Sequence, residues 1–282
     1  MEALSNISTI KDILTRHGFT FSKGLGQNFL VNPTVCPKMA EMGGAKKGRG
    51  MLEIGAGIGV LTKELAERCD KVVCVEIDER LLPILDETLA DYDNIKIINQ
   101  DVMKTDLKRL IAEEFGDMGV SVCANLPYYI TSPIIMKILE DNLPIDSLTV
   151  MVQKEAAVRI CAEPGTRDVG AVSIAVRFYS EPRILFPVKR GSFMPSPDVD
   201  SAVIRLDIRK EPPFRVDDEK KFFKLVRGAF SQRRKTLPNT LSSSLGMTKD
   251  EVRELLAKAN IKETARAEEL SMEEFCRLSN LL

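Results

Sequence analysis

The chain has 282 residues, of which 44% are hydrophobic and 29% charged, and its formal net charge is −1. This length predicts about two domains with a sizeable core, and the near-neutral charge excludes a uniformly basic protein. No apolar run approaches the roughly 20 residues needed to span a bilayer, and the first residues lack the pattern of a signal or transit peptide. We therefore expect a cytoplasmic protein with no membrane partner.

The cysteines and the single histidine argue against a metal centre. The six cysteines include no C-x-x-C pair, and Cys74 and Cys123 lie within apolar runs, which indicates buried thiols in a reducing compartment. His17 is the only histidine and falls in a predicted helix. A zinc site or a Ser-His-Asp triad is therefore not expected.

In chain order, the first elements are helical. Apolar residues at helical spacing across residues 4–17 predict an amphipathic helix. A basic, glycine-containing loop follows at 23–30, and Asn32-Pro33 predicts the start of a second helix.

The pattern then alternates between strands and helices. A strand at 51–54 runs into the glycine loop 55–59, and a helix is predicted over 60–69. Strand, glycine loop and helix in this order begin a Rossmann-like unit. The loop has the spacing G-x-G-x-G, which differs from the G-x-G-x-x-G fingerprint of dinucleotide-binding proteins.

Acidic residues end the next two strands. Strand 71–76 ends in Glu76 and strand 95–101 ends in Asp101, with a helix predicted over 79–90. An acid in the first position receives a ribose diol in this layout, and Asp101 suits an adenine amino group. This combination suits a ligand that contains adenosine without a pyrophosphate, so S-adenosylmethionine fits and NAD fits poorly.

A fourth strand, at 120–123, leads into the sequence A-N-L-P-Y-Y. Pro127 prevents the strand from continuing. The Asn125 oxygen and the Leu126 carbonyl can accept hydrogen bonds from an exocyclic amino group, and Tyr128 can stack on a planar base such as adenine. The alternative is a strand end closed by an Asn-x-Pro turn, but the upstream glycine loop favours the functional interpretation.

The remaining chain closes the sheet and then becomes helical. A helix is predicted through 139, and strands at 148–152, 183–186 and 202–206. Glu211-Pro212-Pro213 predicts a domain boundary. Beyond it, helices are predicted at 218–230 and from near 249 and 271.

The charge is uneven along this last part. Residues 220–235 contain seven Lys/Arg and no acid. Such a local basic segment on a neutral protein fits an RNA or DNA partner, and a solvated helix face is the alternative.

Seven stretches, in order along the chain, resemble the rRNA adenine dimethyltransferase family, and within it the bacterial enzymes that modify the small subunit. They are G-L-G-Q-N-F-L (24–30), E-I-G-A-G-I-G (53–59), V-E-I-D (75–78), D-V (101–102), N-L-P-Y-Y-I-T-S-P (125–133), F-M-P-S-P-D-V (193–199) and F-S-Q-R-R-K-T-L (230–237).

The resemblance implies an α/β fold, namely a Rossmann-like class I S-adenosylmethionine-dependent methyltransferase domain at 1–210, with a smaller C-terminal helical, RNA-binding domain at 211–282. It also implies a helix at 169–179, where the alternating apolar pattern by itself also suits a strand.

The resemblance and the patterns above together predict a set of site residues, and no metal is expected. The expected cofactor-binding residues are Gln27, Asn28, Leu30, Gly55, Gly57, Glu76, Ile77, Asp101, Val102 and Asn125. The expected catalytic residues are Asn125, Leu126, Pro127, Tyr128 and Phe193, the last as a second stacking face for the base. The expected RNA-binding residues are Lys23, Lys220, Lys221, Lys224, Arg227, Arg233, Arg234 and Lys235.

The implied reaction is dimethylation, at N6, of two adjacent adenosines in the 3′-terminal hairpin loop of small-subunit rRNA within an assembling 30S subunit. A monomer is our default expectation. One alternative is a methyltransferase of the antibiotic-resistance type that acts on large-subunit rRNA. The sequences at 129–133 and 230–235 favour the small-subunit enzyme. The other alternative is a ribosome-assembly factor that needs no catalysis, which the intact cofactor set disfavours.

Overall fold

The computed structural model describes residue 4, residues 6–22, residue 24 and residues 26–282. Lys23, one of the predicted RNA-binding residues, lies outside these described residues. None of the helices within the described ranges combines the length and the apolar character needed to cross a bilayer.

The strands confirm the predicted sheet. They are β1 (Phe29–Leu30), β2 (Gly50–Ile54), β3 (Lys71–Glu76), β4 (Ile95–Asn99), β5 (Val120–Asn125), β6 (Ser147–Gln153), β7 (Ser180–Val188), β8 (Phe193–Met194) and β9 (Ser201–Ile208). A seven-stranded sheet has the order β4-β3-β2-β5-β6-β9-β7, and β1 and β8 form a separate antiparallel pair. This pair, which joins two distant stretches of the chain, was not predicted.

The order of the sheet creates a topological switch point beside β2. Strand β2 pairs in parallel with both β3 and β5, so that Ile54 aligns with Val75 on one side and Ala124 on the other. The chain adds β3 and β4 on one side of β2, and then β5 and β6 on the other. The carboxyl ends of these parallel strands meet at one edge, which is where open α/β sheets bind ligands.

Helices connect these strands and form the C-terminal part of the chain. They are α1 (Ile7–Arg16), α2 (Val35–Met42), α3 (Val60–Ala66), α4 (Leu82–Thr88), α5 (Leu107–Phe115), α6 (Thr131–Glu140), α7 (Lys154–Ile160), α8 (Ala171–Tyr179), α9 (Glu219–Ala229), α10 (Leu237–Leu245), α11 (Lys249–Lys258) and α12 (Met272–Ser279). The ambiguous segment 169–179 is therefore a helix. The α5, α7 and α10 helices were not predicted.

The start of α2 differs from the prediction by two residues. Asn32 Oδ1 accepts hydrogen bonds from the backbone N of Thr34 (3.0 Å) and from its hydroxyl group (2.9 Å). This Asx-type turn competes with helical hydrogen bonding, so the helix begins at Val35 rather than at Pro33.

The core lies against the central strands. Strands β2, β3 and β5 are buried along almost their whole length, which explains their continuous apolar sequences. Side chains from α2, α3 and α4, including Met39, Leu65 and Ile84, are fully buried in the same cluster as Met51 and Val72. This packing holds the carboxyl ends of the strands in place.

Contacts divide the chain into two compact units. The first contains the described residues up to Ala157 together with Arg183–Ile208, and the second contains Val158–Pro182 and Arg209–Leu282. The sequence had assigned all of 1–210 to one domain. Helix α8 groups instead with the C-terminal helices because its aromatic side chains pack on α9, with the rings of Phe178 and Phe222 5.0 Å apart.

Candidate active site

An open cavity lies at the carboxyl edge of the sheet in the first unit. It brings together residues from the ends of β2, β3, β4 and β5 with residues of β1 and β8. The predicted cofactor-binding and catalytic residues that line it are Gln27, Asn28, Leu30, Gly55, Gly57, Glu76, Ile77, Asp101, Val102, Asn125, Leu126, Pro127, Tyr128 and Phe193.

Glu76 lies at the end of β3 with its carboxylate held by backbone groups. Its side chain is buried, with 5% of the residue exposed. Oε2 accepts a hydrogen bond from the N of Gly57 (3.1 Å), and Oε1 accepts one from the N of Asp78 (2.9 Å). Burial raises the pKa of Glu76, and these two backbone donors oppose that rise. Each oxygen keeps further acceptor capacity, which suits a pair of vicinal hydroxyl groups.

The glycine loop leaves its backbone open to a ligand. Gly57 has a φ of +58°, a conformation that favours glycine. A Cβ atom at this position would lie 3.4 Å from the ring of Phe29. The loop between β2 and α3 therefore forms a shallow cradle that a larger residue would fill.

The end of β4 supplies an acid beside apolar surface. Asp101 Oδ1 accepts a hydrogen bond from the N of Met103 (2.9 Å), which fixes the carboxylate in a turn. Ile77 is 53% exposed and Val102 is 8% exposed, and both line the cavity. An acid next to apolar side chains suits a planar heterocycle with an amino group.

The segment at and before β1 contacts both the predicted cofactor-binding residues and the predicted catalytic residues. Asn28 Nδ2 donates to the carbonyl of Gly26 (3.1 Å), and Asn125 Nδ2 lies 3.4 Å from the Asn28 carbonyl oxygen. In the pair of β1 and β8, Leu30 aligns with Phe193. The pairing therefore places a predicted cofactor residue beside a predicted base-contacting residue.

Two hydrogen-bond acceptors at the end of β5 have no partner among the described residues. Within the described parts of the chain, neither Asn125 Oδ1 nor the Leu126 carbonyl oxygen accepts a hydrogen bond. The side chain of Leu126 is buried, at 2% exposed, so its backbone is firmly held. Two neighbouring acceptors at a cavity wall suit a group that carries two N–H bonds.

The loop after these acceptors is fixed by its own hydrogen bonds. The carbonyl of Pro127 accepts hydrogen bonds from the N of Ile130 (3.2 Å) and from the hydroxyl of Thr131 (3.1 Å), which turns the chain into α6. The Tyr128 hydroxyl lies 2.7 Å from Ser201 Oγ, and burial raises the pKa of Tyr128. Phe193 is only 4% exposed, so its ring is more enclosed than that of Tyr128.

The sequence did not predict that the side chain of Gln27, which lines the cavity, is held by two hydrogen bonds. Gln27 Nε2 donates to Asp78 Oδ2 (2.7 Å), and Ser22 N donates to Gln27 Oε1 (3.0 Å). The Arg80 guanidinium donates to both oxygens of Asp78 and lowers the pKa of that carboxyl group. The side chain of Gln27 is therefore occupied in anchoring its segment. The last residue of the V-E-I-D stretch, Asp78, was the sequence signal for this anchor.

A second buried acid was also missed. Glu53, one residue before the end of β2, lines the cavity and is 1% exposed. Cys74 Sγ lies 3.3 Å from its Oε2, and burial raises the pKa of Glu53 to about 7. The E of E-I-G marked this position, but only burial distinguishes it from an exposed acid.

The predicted RNA-binding residues that the structure describes belong to the second unit. In α9, Lys220, Lys224 and Arg227 are exposed at helical spacing, opposite a buried apolar face. Arg233 Nη2 donates to the carbonyl of Arg167 (2.6 Å). Arg167 is a further cation beside this segment that the sequence did not indicate. Across the described ranges, no salt bridge involves residues 220–235 or Arg167.

Comparison with known proteins gives consistent relatives. A family model described as Ribosomal RNA adenine dimethylase matches residues 18–282. The protein named Ribosomal RNA small subunit methyltransferase A from Geobacillus sp. (strain WCH70) is 50% identical and covers 96% of this chain and 95% of its own length. The protein of the same name from Alkaliphilus oremlandii is 49% identical and covers 100% and 99%.

Two solved structures have the same fold over most of the chain. The dimethyladenosine transferase from Plasmodium falciparum has a TM-score of 0.74 at 25% identity and covers 89% of this chain and 95% of its own. The 23S rRNA methyltransferase ErmE has a TM-score of 0.69 at 27% identity and covers 90% and 99%. These likenesses confirm the predicted Rossmann-like methyltransferase fold. With a family match over nearly its whole length and relatives at about half identity, this chain belongs to the ribosomal RNA adenine dimethylase family.

Proposed function

We propose that this protein transfers methyl groups from S-adenosylmethionine to N6 of two adjacent adenosines in the 3′-terminal hairpin loop of small-subunit (16S) rRNA, forming N6,N6-dimethyladenosine. It would act as a monomer in the cytoplasm, on an assembling 30S subunit and as a late step of its biogenesis. Membership of the dimethylase family and relatives named for the small subunit support this substrate.

The observation that carries the proposal is the pair of free acceptors next to a stacking ring. Asn125 Oδ1 and the Leu126 carbonyl have no partner in the described chain, and Tyr128 lines the same cavity. The exocyclic amino group of adenine carries two N–H bonds, and its ring presents a flat face. The site therefore has one acceptor for each N–H bond and an aromatic ring for the flat face of the target base.

The other side of the cavity fits the cofactor. The buried carboxylate of Glu76 would bind the ribose hydroxyl groups, and Asp101 the adenine amino group. The open backbone at Gly55 and Gly57 would admit the cofactor closely, with Asn28 and Leu30 covering its methionine end. When bound, S-adenosylmethionine supplies a methyl group on a positively charged sulfur.

The protein groups would act by positioning and electrostatics. The N6 lone pair of adenine is delocalised into the ring, so this nitrogen is a weak nucleophile. Hydrogen bonds to Asn125 and Leu126 would direct the lone pair towards the methyl group and favour the tetrahedral nitrogen of the transition state. Pro127 has no N–H and cannot compete for the acceptors. After transfer the nitrogen is acidic and can release its proton to water, so the mechanism needs no side chain as a base.

The target adenosine must be unpaired or flipped to enter the cavity. Enzymes that modify a base take it out of the stack and hold it between side chains. Tyr128 would stack on one face of the adenine, and Phe193 would contact the base on the other side. The basic residues of α9 and of 233–235, with Lys23, would bind phosphates and position the RNA.

The experiment that tests this function is methyl transfer from labelled S-adenosylmethionine to undermethylated small and large subunits, followed by nucleoside analysis. We expect label in dimethyladenosine from small subunits only. Label in large subunits would support the alternative that the likeness to ErmE raises. Binding to small subunits without any methyl transfer would support an assembly factor and overturn the enzymatic proposal.

A further inference from the structure

Tyr129 is an exposed aromatic residue at the mouth of the cavity. It follows Tyr128 in the loop between β5 and α6, and it lines the cavity although 62% of the residue is exposed. Tyr128, in contrast, is partly buried and bonded to Ser201 through its hydroxyl group. In the part of the chain that the structure describes, no hydrogen bond or ion pair engages the side chain of Tyr129. The mechanism above gives this ring no role.

The ring of Tyr129 is supported on one side by neighbouring backbone. A Cβ atom built on Gly26 would lie 3.3 Å from ring atom Cδ1 and 3.4 Å from Cε1. The same Cβ atom would lie 3.4 Å from Pro127 Cβ. Glycine at position 26 therefore allows the ring to rest against the chain, while most of its surface remains available to a ligand.

An aromatic side chain in this position matches an unpaired nucleobase. Proteins that bind single-stranded nucleic acid place successive bases on aromatic side chains, and each stack contributes to affinity whatever the base. Tyr128 and Tyr129 are consecutive, so their Cα atoms are about 3.8 Å apart. When the target adenine stacks on Tyr128, it lies inside the cavity. The next nucleotide of the RNA strand then lies outside the cavity, next to the exposed ring of Tyr129.

We propose that Tyr129 stacks on the nucleotide adjacent to the target adenosine and holds the RNA in register with the cavity. This inference rests on the proposed function. In the proposed substrate the two target adenosines are neighbours, so each is an adjacent nucleotide while the other is methylated. Removal of the ring should therefore weaken binding of the RNA substrate, while the chemical step at Asn125 and the binding of the cofactor continue.

The test compares the wild-type protein with Tyr129→Phe, Tyr129→Leu and Tyr129→Ala in steady-state methyl transfer to undermethylated small subunits. Affinity for S-adenosylhomocysteine is measured in parallel by calorimetry. We expect the Phe variant to match the wild type. The Leu and Ala variants should raise KM for the subunit by about tenfold, as expected for one lost stack, with little change in kcat and in affinity for S-adenosylhomocysteine.

Three results would overturn the proposal. One is an unchanged KM in Tyr129→Ala. Another is full rescue by Tyr129→Leu, because leucine restores apolar contact with Gly26 without an aromatic face. The third is a loss of S-adenosylhomocysteine affinity in Tyr129→Ala, which would mean that the ring acts through Gly26 on the cofactor side. Each of these results leaves the proposed function intact, since that function is tested separately by methyl transfer from the wild-type protein to small and large subunits.

Discussion

At the scale of single residues, three carboxyl groups near the cavity have different surroundings and therefore different ionisation. Burial raises the pKa of Glu53 to about 7 and also raises that of Glu76. Asp78, only two residues after Glu76, has a lowered pKa because Arg80 donates hydrogen bonds to both of its oxygens. Similar acids near the ends of two adjacent strands thus differ in ionisation, and substitutions at them should have different effects.

Asn125→Ala should separate catalysis from substrate binding. The change removes one preorganised acceptor, and such a loss costs about 2.7–4 kcal/mol of transition-state stabilisation, so methyl transfer should fall at least about a hundredfold. Subunit binding should change much less because phosphate contacts dominate it. Dimethyladenosine formation and subunit binding are measured side by side. Full dimethylation by this variant would show that the loop is only structural.

Glu76→Ala should weaken cofactor binding without loss of the fold. It removes a carboxylate that can accept two charge-assisted hydrogen bonds, so the binding free energy of S-adenosylmethionine should fall by about 1.5–3 kcal/mol. Calorimetric titration measures this change, with Glu76→Gln as the control that keeps the shape of the side chain and loses the charge. Unchanged affinity in the Ala variant would contradict the assignment of Glu76 to the ribose.

Glu53 should make the stability of the protein depend on pH. The native state keeps a proton on Glu53 up to about pH 7, whereas the unfolded chain loses it near the ordinary value of 4.5. Since the native state binds more protons across this range, the free energy of unfolding should decrease as pH rises through it. At about 1.4 kcal/mol per pH unit, the decrease amounts to roughly 3 kcal/mol.

Glu53→Gln is the matched variant because it keeps the side-chain volume and cannot titrate. Urea unfolding between pH 5 and 8 should show a smaller decrease in stability for this variant than for the wild type. The groups facing Glu53 include Cys74 and Thr62, and burial keeps the pKa of Cys74 well above its ordinary range. Equal pH dependence in both proteins would assign the effect to other groups.

At the scale of elements, the second unit contains a close contact between two helices. A Cβ atom on Gly228 of α9 would clash with Ser244 Oγ and would lie 2.7 Å from Ser244 Cβ in α10. The second half of α10, with Ser242, Ser243 and Ser244 in succession, has little helical preference of its own. Packing against α9 therefore stabilises a helix that local sequence does not predict.

Gly228→Ala should destabilise the second unit through this contact. Overpacking costs about 1–3 kcal/mol, and the better helix propensity of alanine offsets up to about 1 kcal/mol of it. The free energy of unfolding should therefore fall in Gly228→Ala and recover in the double variant with Ser244→Gly, which removes the opposing atoms. A thermal-unfolding double-mutant cycle measures the coupling. Additive effects of the two substitutions would mean that the helices separate freely at this point.

At the scale of the whole molecule, the distribution of charge matters more than its sum. The net charge is −1, yet seven cations lie between residues 220 and 235 with no acid among them. Within the described chain these cations have no salt-bridge partners. Exposed cations without salt-bridge partners in one segment are a feature that suits the electrostatic component of nucleic-acid binding.

Neutralising Arg233 and Arg234 together as glutamines should lower affinity for small subunits and flatten its dependence on salt concentration. Each lost phosphate contact reduces the number of counterions released. Affinity for S-adenosylmethionine should not change. The control replaces Lys258 and Lys262, two exposed cations of the same unit, and alters the net charge equally. The same salt slope in both variants and the wild type would identify 220–235 as a solvated surface.

The sequence alone determined the sheet and most of the cavity. Strand ends are local features, and parallel strands bring their carboxyl ends to one edge whatever the details of packing. Gly57, Glu76, Asp101 and Asn125 could therefore be assigned to a single site from their positions after apolar runs. The helix at 171–179 needed the family resemblance, because its apolar residues also alternate as in a strand.

Only the tertiary structure decided how distant parts of the chain meet. The pairing of Leu30 with Phe193, the anchoring of Gln27 on Asp78 and the burial of Glu53 all depend on long-range contacts that leave no local pattern. The same holds for the grouping of Val158–Pro182 with the C-terminal helices. Hydrophobic periodicity reports which face of an element is buried but not which element covers it, so these features could not be derived before the fold was known.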